Sequence, residues 1–139
     1  MQTNEILIPG VMNDEMIRHA RGELPYEACG IIAGVAGKKA VKFYPARNEL
    51  KSETRYNIAP EDLYSILMEL EKKGLDVWGI FHSHPSSPAY PSATDIKQSY
   101  YPDSYYLIVS FLNPNKPELR VFKIDGEEVA EMVVIICQP

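Results

Sequence analysis

The chain is expected to fold as an α/β protein of the α+β kind, with a mixed sheet and helices packed on its faces. Three observations lead there. Apolar residues recur at helical spacing in two stretches, one behind Asn13 and one behind Pro60. Asp76–His84 is apolar at nearly every position, the pattern of a central strand covered on both sides. Helix-like and strand-like stretches alternate until consecutive strands close the chain, in the order α-β-β-α-β-α-β-β-β.

Met16, Ile17, Ala20 and Leu24 repeat behind Asn13-Asp14, a pair able to cap a helix start, so the first helix is placed at about Asn13 to Gly22. Pro25 blocks its continuation. Ala28 to Gly34 reads as a buried strand, Ala36-Gly37 as a turn, and Lys39 to Ala46 as the returning strand of a hairpin. The polar stretch Arg47 to Arg55 reads as a loop. Pro60-Glu61-Asp62 starts a second helix, because the first turn leaves N–H groups unused and its positive dipole end favours acids. Leu63, Ile66, Leu67 and Leu70 form its apolar stripe, and Lys72-Lys73-Gly74 ends it. Asp76 to His84 follows as the central strand, and Ser92 starts a short helix through about Ser99. Tyr105 to Phe111, Leu119 to Ile124 and Val129 to Ile136 are strands separated by Asn113-Pro114-Asn115 and Asp125-Gly126 turns. The run Val133–Ile136 reads as a core strand, or as a pairing or dimer surface if it lies at an edge.

At 139 residues, with no internal repeat, low-complexity tract or linker, residues 1–139 are expected to form a single domain with one core. The net charge of −5 and the absence of a Lys/Arg-rich block argue against a nucleic-acid partner. No segment is long and apolar enough to span a bilayer, and the start, Met1-Gln2-Thr3-Asn4-Glu5, lacks the features of a signal peptide. Cys29 and Cys137 fit no C-x-x-C pattern and read as free thiols in a reducing compartment. The expectation is a cytoplasmic protein without membrane contact, monomeric or homodimeric.

The chemistry concentrates in His82-Ser83-His84-Pro85 and Ser92-Ala93-Thr94-Asp95. On a strand, residues two apart project from the same face, so His82 and His84 can converge on one ion. Asp95 adds a carboxylate. Two nitrogens and one oxygen are the ligand set of a catalytic zinc whose fourth position holds water. Against this, two exposed histidines at a strand end need no metal. Such a site also needs a base near the water and a group to steady developing charge. Glu27, fixed between Pro25 and the strand from Ala28, is the candidate base, or else an ordinary strand-edge acid. Ser92-x-x-Asp95 reads as a helix capping box. Ser92 can start that helix and still offer its hydroxyl to a substrate oxyanion, but Asp95 is not expected to spend one oxygen on both cap and zinc. Pro85, Pro88 and Pro91 stiffen the loop between, or simply mark a surface loop. His19, without a spacing partner, reads as a surface or packing residue.

Glu27, His82-x-His84, seven residues, then Ser92-x-x-Asp95 resembles the motif of the JAMM (MPN+) zinc metallopeptidases. The likeness extends through Pro25-Tyr26-Glu27-Ala28-Cys29-Gly30, Gly34, Asn48, Arg55-Tyr56 and Tyr106–Ser110. It implies the MPN fold, a cytidine-deaminase-like curved mixed sheet flanked by helices. It further implies one Zn2+ with a bound water on His82, His84 and Asp95, with Glu27 as general base and then acid and Ser92 stabilising the tetrahedral intermediate.

The family hydrolyses bonds after the C-terminal Gly-Gly of ubiquitin-like proteins. This chain is too short for the insertions of ubiquitin-cleaving members. His19-Ala20-Arg21, Pro25-x-Glu27-Ala28-Cys29-Gly30 and Ala89-Tyr90-Pro91-Ser92-x-Thr94-Asp95 are most similar to bacterial peptidases of ubiquitin-like sulfur-carrier proteins. The implied partner is the C-terminal tail of such a carrier, and the product is cysteine or a short extension. A Gly-Gly tail can thread a narrow groove and pair with a strand edge, for which Val109-Ser110 or the strand near Cys29 are the candidates. Tyr90, Tyr100, Tyr101, Tyr105 and Tyr106 crowd the region after the motif, as groove lining or as packing. The alternative is a metal-free MPN scaffold that binds a ubiquitin-like partner. A zinc deaminase needs H-x-E and P-C-x-x-C, and neither occurs.

Overall fold

The computed structural model describes residues 4–35 and 39–138. Its elements run β1 (Glu5–Pro9), α1 (Gly10–Glu23), β2 (Cys29–Gly34), β3 (Ala40–Ala46), α2 (Pro60–Lys73), β4 (Asp76–His84), α3 (Ala93–Lys97), β5 (Tyr105–Ser110), β6 (Glu118–Asp125) and β7 (Glu128–Cys137). The strands form one sheet in the order β1-β7-β6-β5-β4-β2-β3. β1–β7 and β4–β5 pair parallel and the other neighbours antiparallel, which makes the sheet mixed. The expected order holds with one strand added in front.

That strand, β1, has the alternation of a half-buried strand, with Ile6 and Ile8 buried. Glu5-Ile6-Leu7-Ile8 carried the signal, and a reading of the N-terminus only for targeting features passes over it. β1 runs straight into α1, so the helix begins at Gly10 rather than at an Asn13-Asp14 cap, and its N-cap, Pro9, makes no side-chain bond. Met12, Met16 and Ala20 form its buried stripe, while Leu24 lies exposed beyond the end.

α2 begins and ends where its sequence signals place it. Pro60 opens it, and Gly74 closes it at φ 67°, a left-handed cap that a side chain would strain. Ile66 and Leu70 are buried, but Leu67 turns outward, so the stripe is narrower than expected. The Ala36-Gly37 turn lies outside the described residues. Both β2 and β4 are fully or almost fully buried, as continuous apolar runs in central strands should be.

Alternation divides the core between the two faces. Ile32, Phe43, Phe81, Leu107 and Val121 pack under α1 with Met12 and Met16. On the other face Cys29, Ile31 and Tyr44 pack with Ile66 and Leu70 of α2. Ile80, Tyr106, Ile108 and Phe122 continue that face, with Ile96 of α3 against them. The tip of β4 therefore opens on the face shared by α2 and α3.

Two expectations change. β7 has neighbours on both sides, yet none of its residues is buried, and Val133 and Ile135 are exposed. The run Val133–Ile136 is thus neither a core strand nor an edge: it lies between β1 and β6, with Val134 partly buried against the core under α1 and its neighbours in the run exposed. Neither candidate for a free strand edge is free: β5 lies between β4 and β6, and β2 between β3 and β4. Among the described residues, no helix is long and apolar enough to cross a membrane.

Gly30 marks a close approach to backbone in the central sheet. A Cβ there would sit 2.6 Å from the Tyr44 carbonyl oxygen and 2.8 Å from the Phe43 ring. Backbone cannot swing aside as a side-chain end can, so Gly30→Ala is expected to cost about 3 kcal/mol in chemical denaturation.

Candidate metal centre

β4 delivers the two imidazoles. His82 pairs with Cys29 on one side and Ile108 on the other, and His84 pairs with Ser110. Ser83 between them points to the opposite face, where its Oγ accepts the Ala28 N–H at 2.8 Å. The Ser83 N–H donates to the Ala28 carbonyl at 3.0 Å. These two bonds tie the histidine strand to the residue that follows Glu27.

α3 delivers Asp95. Ser92 caps the helix in a capping box: its Oγ accepts the Asp95 N–H at 3.0 Å, and its own N–H donates to Asp95 Oδ2 at 2.9 Å. That same Oδ2 lies 3.1 Å from His82 Nε2 and 3.0 Å from His84 Nε2. The expectation was that one oxygen would not serve both cap and ion, yet the oxygen that takes the cap is also the one that faces both imidazoles. A carboxylate oxygen has two lone-pair directions, and the cap occupies only one. Ser92 itself is exposed, and its hydroxyl proton remains available because the oxygen acts as acceptor in the cap.

The loop from Pro85 to Pro91 is tied as well as stiff. Ser110 Oγ donates to the Ser87 carbonyl at 2.6 Å, and Ala89 is fully buried. Its Pro88 carbonyl lies 2.7 Å from His84 Nδ1. A carbonyl can only accept, so Nδ1 carries a proton, which leaves Nε2 as the nitrogen facing Asp95 and His82.

This decides whether the residues fit a metal. His82 Nε2, His84 Nε2 and Asp95 Oδ2 form a nearly equilateral triangle with sides of 3.0 to 3.1 Å. Three such atoms at that separation need positive charge between them, which protons on the imidazoles supply without an ion and a metal ion supplies in their place. A tetrahedral ion with bonds of about 2.0–2.1 Å asks for sides of about 3.3 Å, a few tenths wider. The three residues can therefore hold one divalent cation, and they form the metal-capable group found among the described residues. Without an ion, burial would raise the Asp95 carboxyl, but its bonds to His82 and His84 overcome this and hold it well below the usual carboxylate range. Burial lowers His82. Burial also works against His84, but Asp95 and the Pro88 carbonyl raise it.

Glu27 stands beside this triangle, 3% exposed. It lies two residues before Cys29 and so shares the face of the histidines. Its N–H donates to the Ser52 carbonyl at 2.8 Å, and its carbonyl accepts from Asn48 Nδ2 at 3.0 Å. Its Oε1 finds no hydrogen-bond partner among the described residues. Burial pushes its carboxyl up to about 8, with the His84 charge opposing and the Asp95 charge adding.

The loop after β3 contributes what sequence reading did not assign. Tyr56 stacks on His82, ring centroids 4.5 Å apart at 18°, and fixes a ring whose Nδ1 has no partner among the described residues. Asn48 uses its whole amide. Nδ2 donates to the Glu27 and Arg55 carbonyls, while Oδ1 accepts from Leu50 and Asn57 N–H. One side chain thus holds the loop closed and pins the backbone of Glu27. Asn and Ser in a polar run do signal turns, but the partners lie elsewhere in the chain. His19 is a packing residue: its Nε2 meets the Cys29 carbonyl at 3.1 Å, and its ring packs against Phe43 and Phe81. Cys29 and Cys137 are free thiols, as expected.

Residues 9–125 match the model of a family described as prokaryotic homologs of the JAB domain. The chain belongs to that family. Its JAB domain is similar to the desampylase of Haloferax volcanii, at 34% identity over 98% of this chain and 99% of the relative. It is also similar to the CysO-cysteine peptidase of Mycobacterium tuberculosis, at 33% identity over 96% of this chain and 92% of the relative. The solution structure of protein DSY2949 from Desulfitobacterium hafniense superposes with a TM-score of 0.86 at 33% identity, covering 96% of this chain and 94% of that one. A JAB1/MPN domain protein from Archaeoglobus fulgidus shares the fold at 18% identity, with a TM-score of 0.59 over 94% of this chain and 98% of that one. The expected MPN fold is therefore present, and with relatives of this kind the JAB domain here is a hydrolase.

Proposed function

We propose that the chain is a zinc-dependent peptidase that hydrolyses the bond after the C-terminal Gly-Gly of a ubiquitin-like sulfur-carrier protein, releasing cysteine or a short extension. The observation that carries this reading is the convergence of His82 Nε2, His84 Nε2 and Asp95 Oδ2 beside a buried carboxyl, Glu27, with an unpartnered oxygen. A bound zinc supplies a water of pKa about 7 and polarises the scissile carbonyl. Glu27 takes the water's proton and returns it to the leaving nitrogen. A group with pKa near the working pH does both well, and burial moves Glu27 in that direction. The free hydroxyl proton of Ser92 donates to the oxygen that gains charge. Tyr56 and the Pro88 carbonyl hold the two imidazoles in place.

The names of the relatives support the substrate class, because one is a CysO-cysteine peptidase and another a desampylase. The scaffold alternative has less support, since every ligand is present and aimed at a common centre. Next to Tyr56, a cavity of about 160 Å³ lined by Ile31, Ile80 and Tyr106 offers an apolar seat for tail residues ahead of the two glycines. Of the five tyrosines after the motif, Tyr106 is buried, whereas Tyr90, Tyr100 and Tyr101 are exposed.

The test is to incubate small carrier proteins bearing residues beyond Gly-Gly with the zinc-loaded protein and follow their mass. Loss of everything after Gly-Gly, abolished by a chelator, is the expected result. Unchanged masses across the carriers would remove the reading.

A further inference from the structure

A second cavity, of about 340 Å³, adjoins Glu27 and is lined by Glu23, Tyr26, Glu27, Arg47, Asn48 and Lys51. It lies within the size range of small-ligand sites, about 300–1,000 Å³. Resting on the function proposed above, we infer that this cavity receives the leaving group, and that Lys51 binds its terminal carboxylate. The protein then favours removal of one C-terminal amino acid over cleavage inside a longer chain.

The position follows from the chemistry. Water's oxygen bonds to the carbonyl carbon, the C–N bond breaks with its electron pair going to nitrogen, and that nitrogen takes the proton carried by Glu27. The leaving nitrogen must therefore come next to Glu27. Whatever is attached to it occupies the space that Glu27 borders, and this cavity is such a space.

The charges fit an amino acid. Arg47 is already matched: its Nε and terminal nitrogen bond Asp62 at 3.0 and 3.1 Å, and the same terminal nitrogen meets Glu61 at 3.3 Å. Lys51 has no ion pair among the described residues. It is the one cation of the cavity left for a ligand. Glu23 supplies a carboxylate for the ammonium that the released nitrogen becomes. A cation and acids around a small cavity complement a carboxylate and an ammonium on one carbon.

The backbone gives an independent sign. Lys51 is the only non-glycine residue with positive φ among those described, at 44°. Its N–H closes a turn on the Asn48 carbonyl at 3.2 Å. A lysine costs more there than the glycine or asparagine such a turn favours, so the lysine sits here at a backbone cost.

The experiment compares two carrier substrates ending in Gly-Gly-Cys, one with a free C-terminal carboxylate and one with a carboxamide. The wild-type protein should cut the acid about tenfold to a hundredfold better in kcat/KM, mainly through KM. Lys51→Asn removes the charge but suits the left-handed backbone, and should bring the two substrates to within about twofold by slowing the acid alone. Lys51→Arg should keep most of the preference. Equal cleavage of both substrates by the wild type, or an undiminished preference in Lys51→Asn, overturns this inference and leaves the proposed function standing. Cleavage of neither overturns both.

Discussion

Glu27→Gln is expected to lower kcat/KM by about 10²–10⁴-fold while leaving metal content unchanged. Glutamine keeps the length and planarity of the side chain but can neither take nor return a proton. Glu27 contributes no atom to the ligand triangle, so the ion should stay. The backbone bonds at this residue, to Ser52 and from Asn48, do not involve the side chain and survive the change.

The same variant has a second readout. In metal-free protein, burial raises Glu27 from its ordinary 4.5 to about 8. The folded state thus holds this proton more tightly than the unfolded chain. Its contribution to stability is complete below about 4.5 and is lost as pH rises through about 8. Denaturation of the chelated wild type should show that decline between those pH values, and Glu27→Gln should remove it. Loss of metal together with activity would instead make Glu27 a ligand.

Asp95→Asn is expected to abolish detectable hydrolysis and weaken zinc binding by at least about a hundredfold. Hydrogen-bond partners behind metal ligands alone contribute about 10–100-fold in affinity, and this change strikes a ligand. Asparagine's oxygen can still accept the Ser92 N–H, so the start of α3 should survive. Unchanged far-ultraviolet circular dichroism beside lost zinc would separate the ligand role from the cap. Full activity in this variant would contradict the proposed mechanism.

The site was legible because it is local. His82-x-His84 on a strand and Ser92-x-x-Asp95 at a helix start each fix a geometry within a few residues, and strand period and helix cap convert spacing into position. Glu27 was legible only as a candidate, since its place opposite His84 depends on antiparallel pairing between distant segments. Asn48, Ser52 and Tyr56 were not legible in this sense. They lie in a polar loop whose shape is set by bonds to Glu27 and by stacking on His82, and no local pattern encodes such contacts. The missed strand β1 carried its own alternating signal, whereas the exposure of β7 does not show in its apolar pattern. A sequence records which residues are apolar, but not which of them the fold leaves exposed.

The most direct test of the metal centre is zinc titration of chelator-stripped protein, followed by calorimetry and elemental analysis, in the wild type and in His82→Ala and Asp95→Asn. One zinc per chain in the wild type and a large loss of affinity in both variants is the expected result. A wild type that binds no zinc, or variants that bind it as tightly as the wild type, would contradict the assignment of His82, His84 and Asp95.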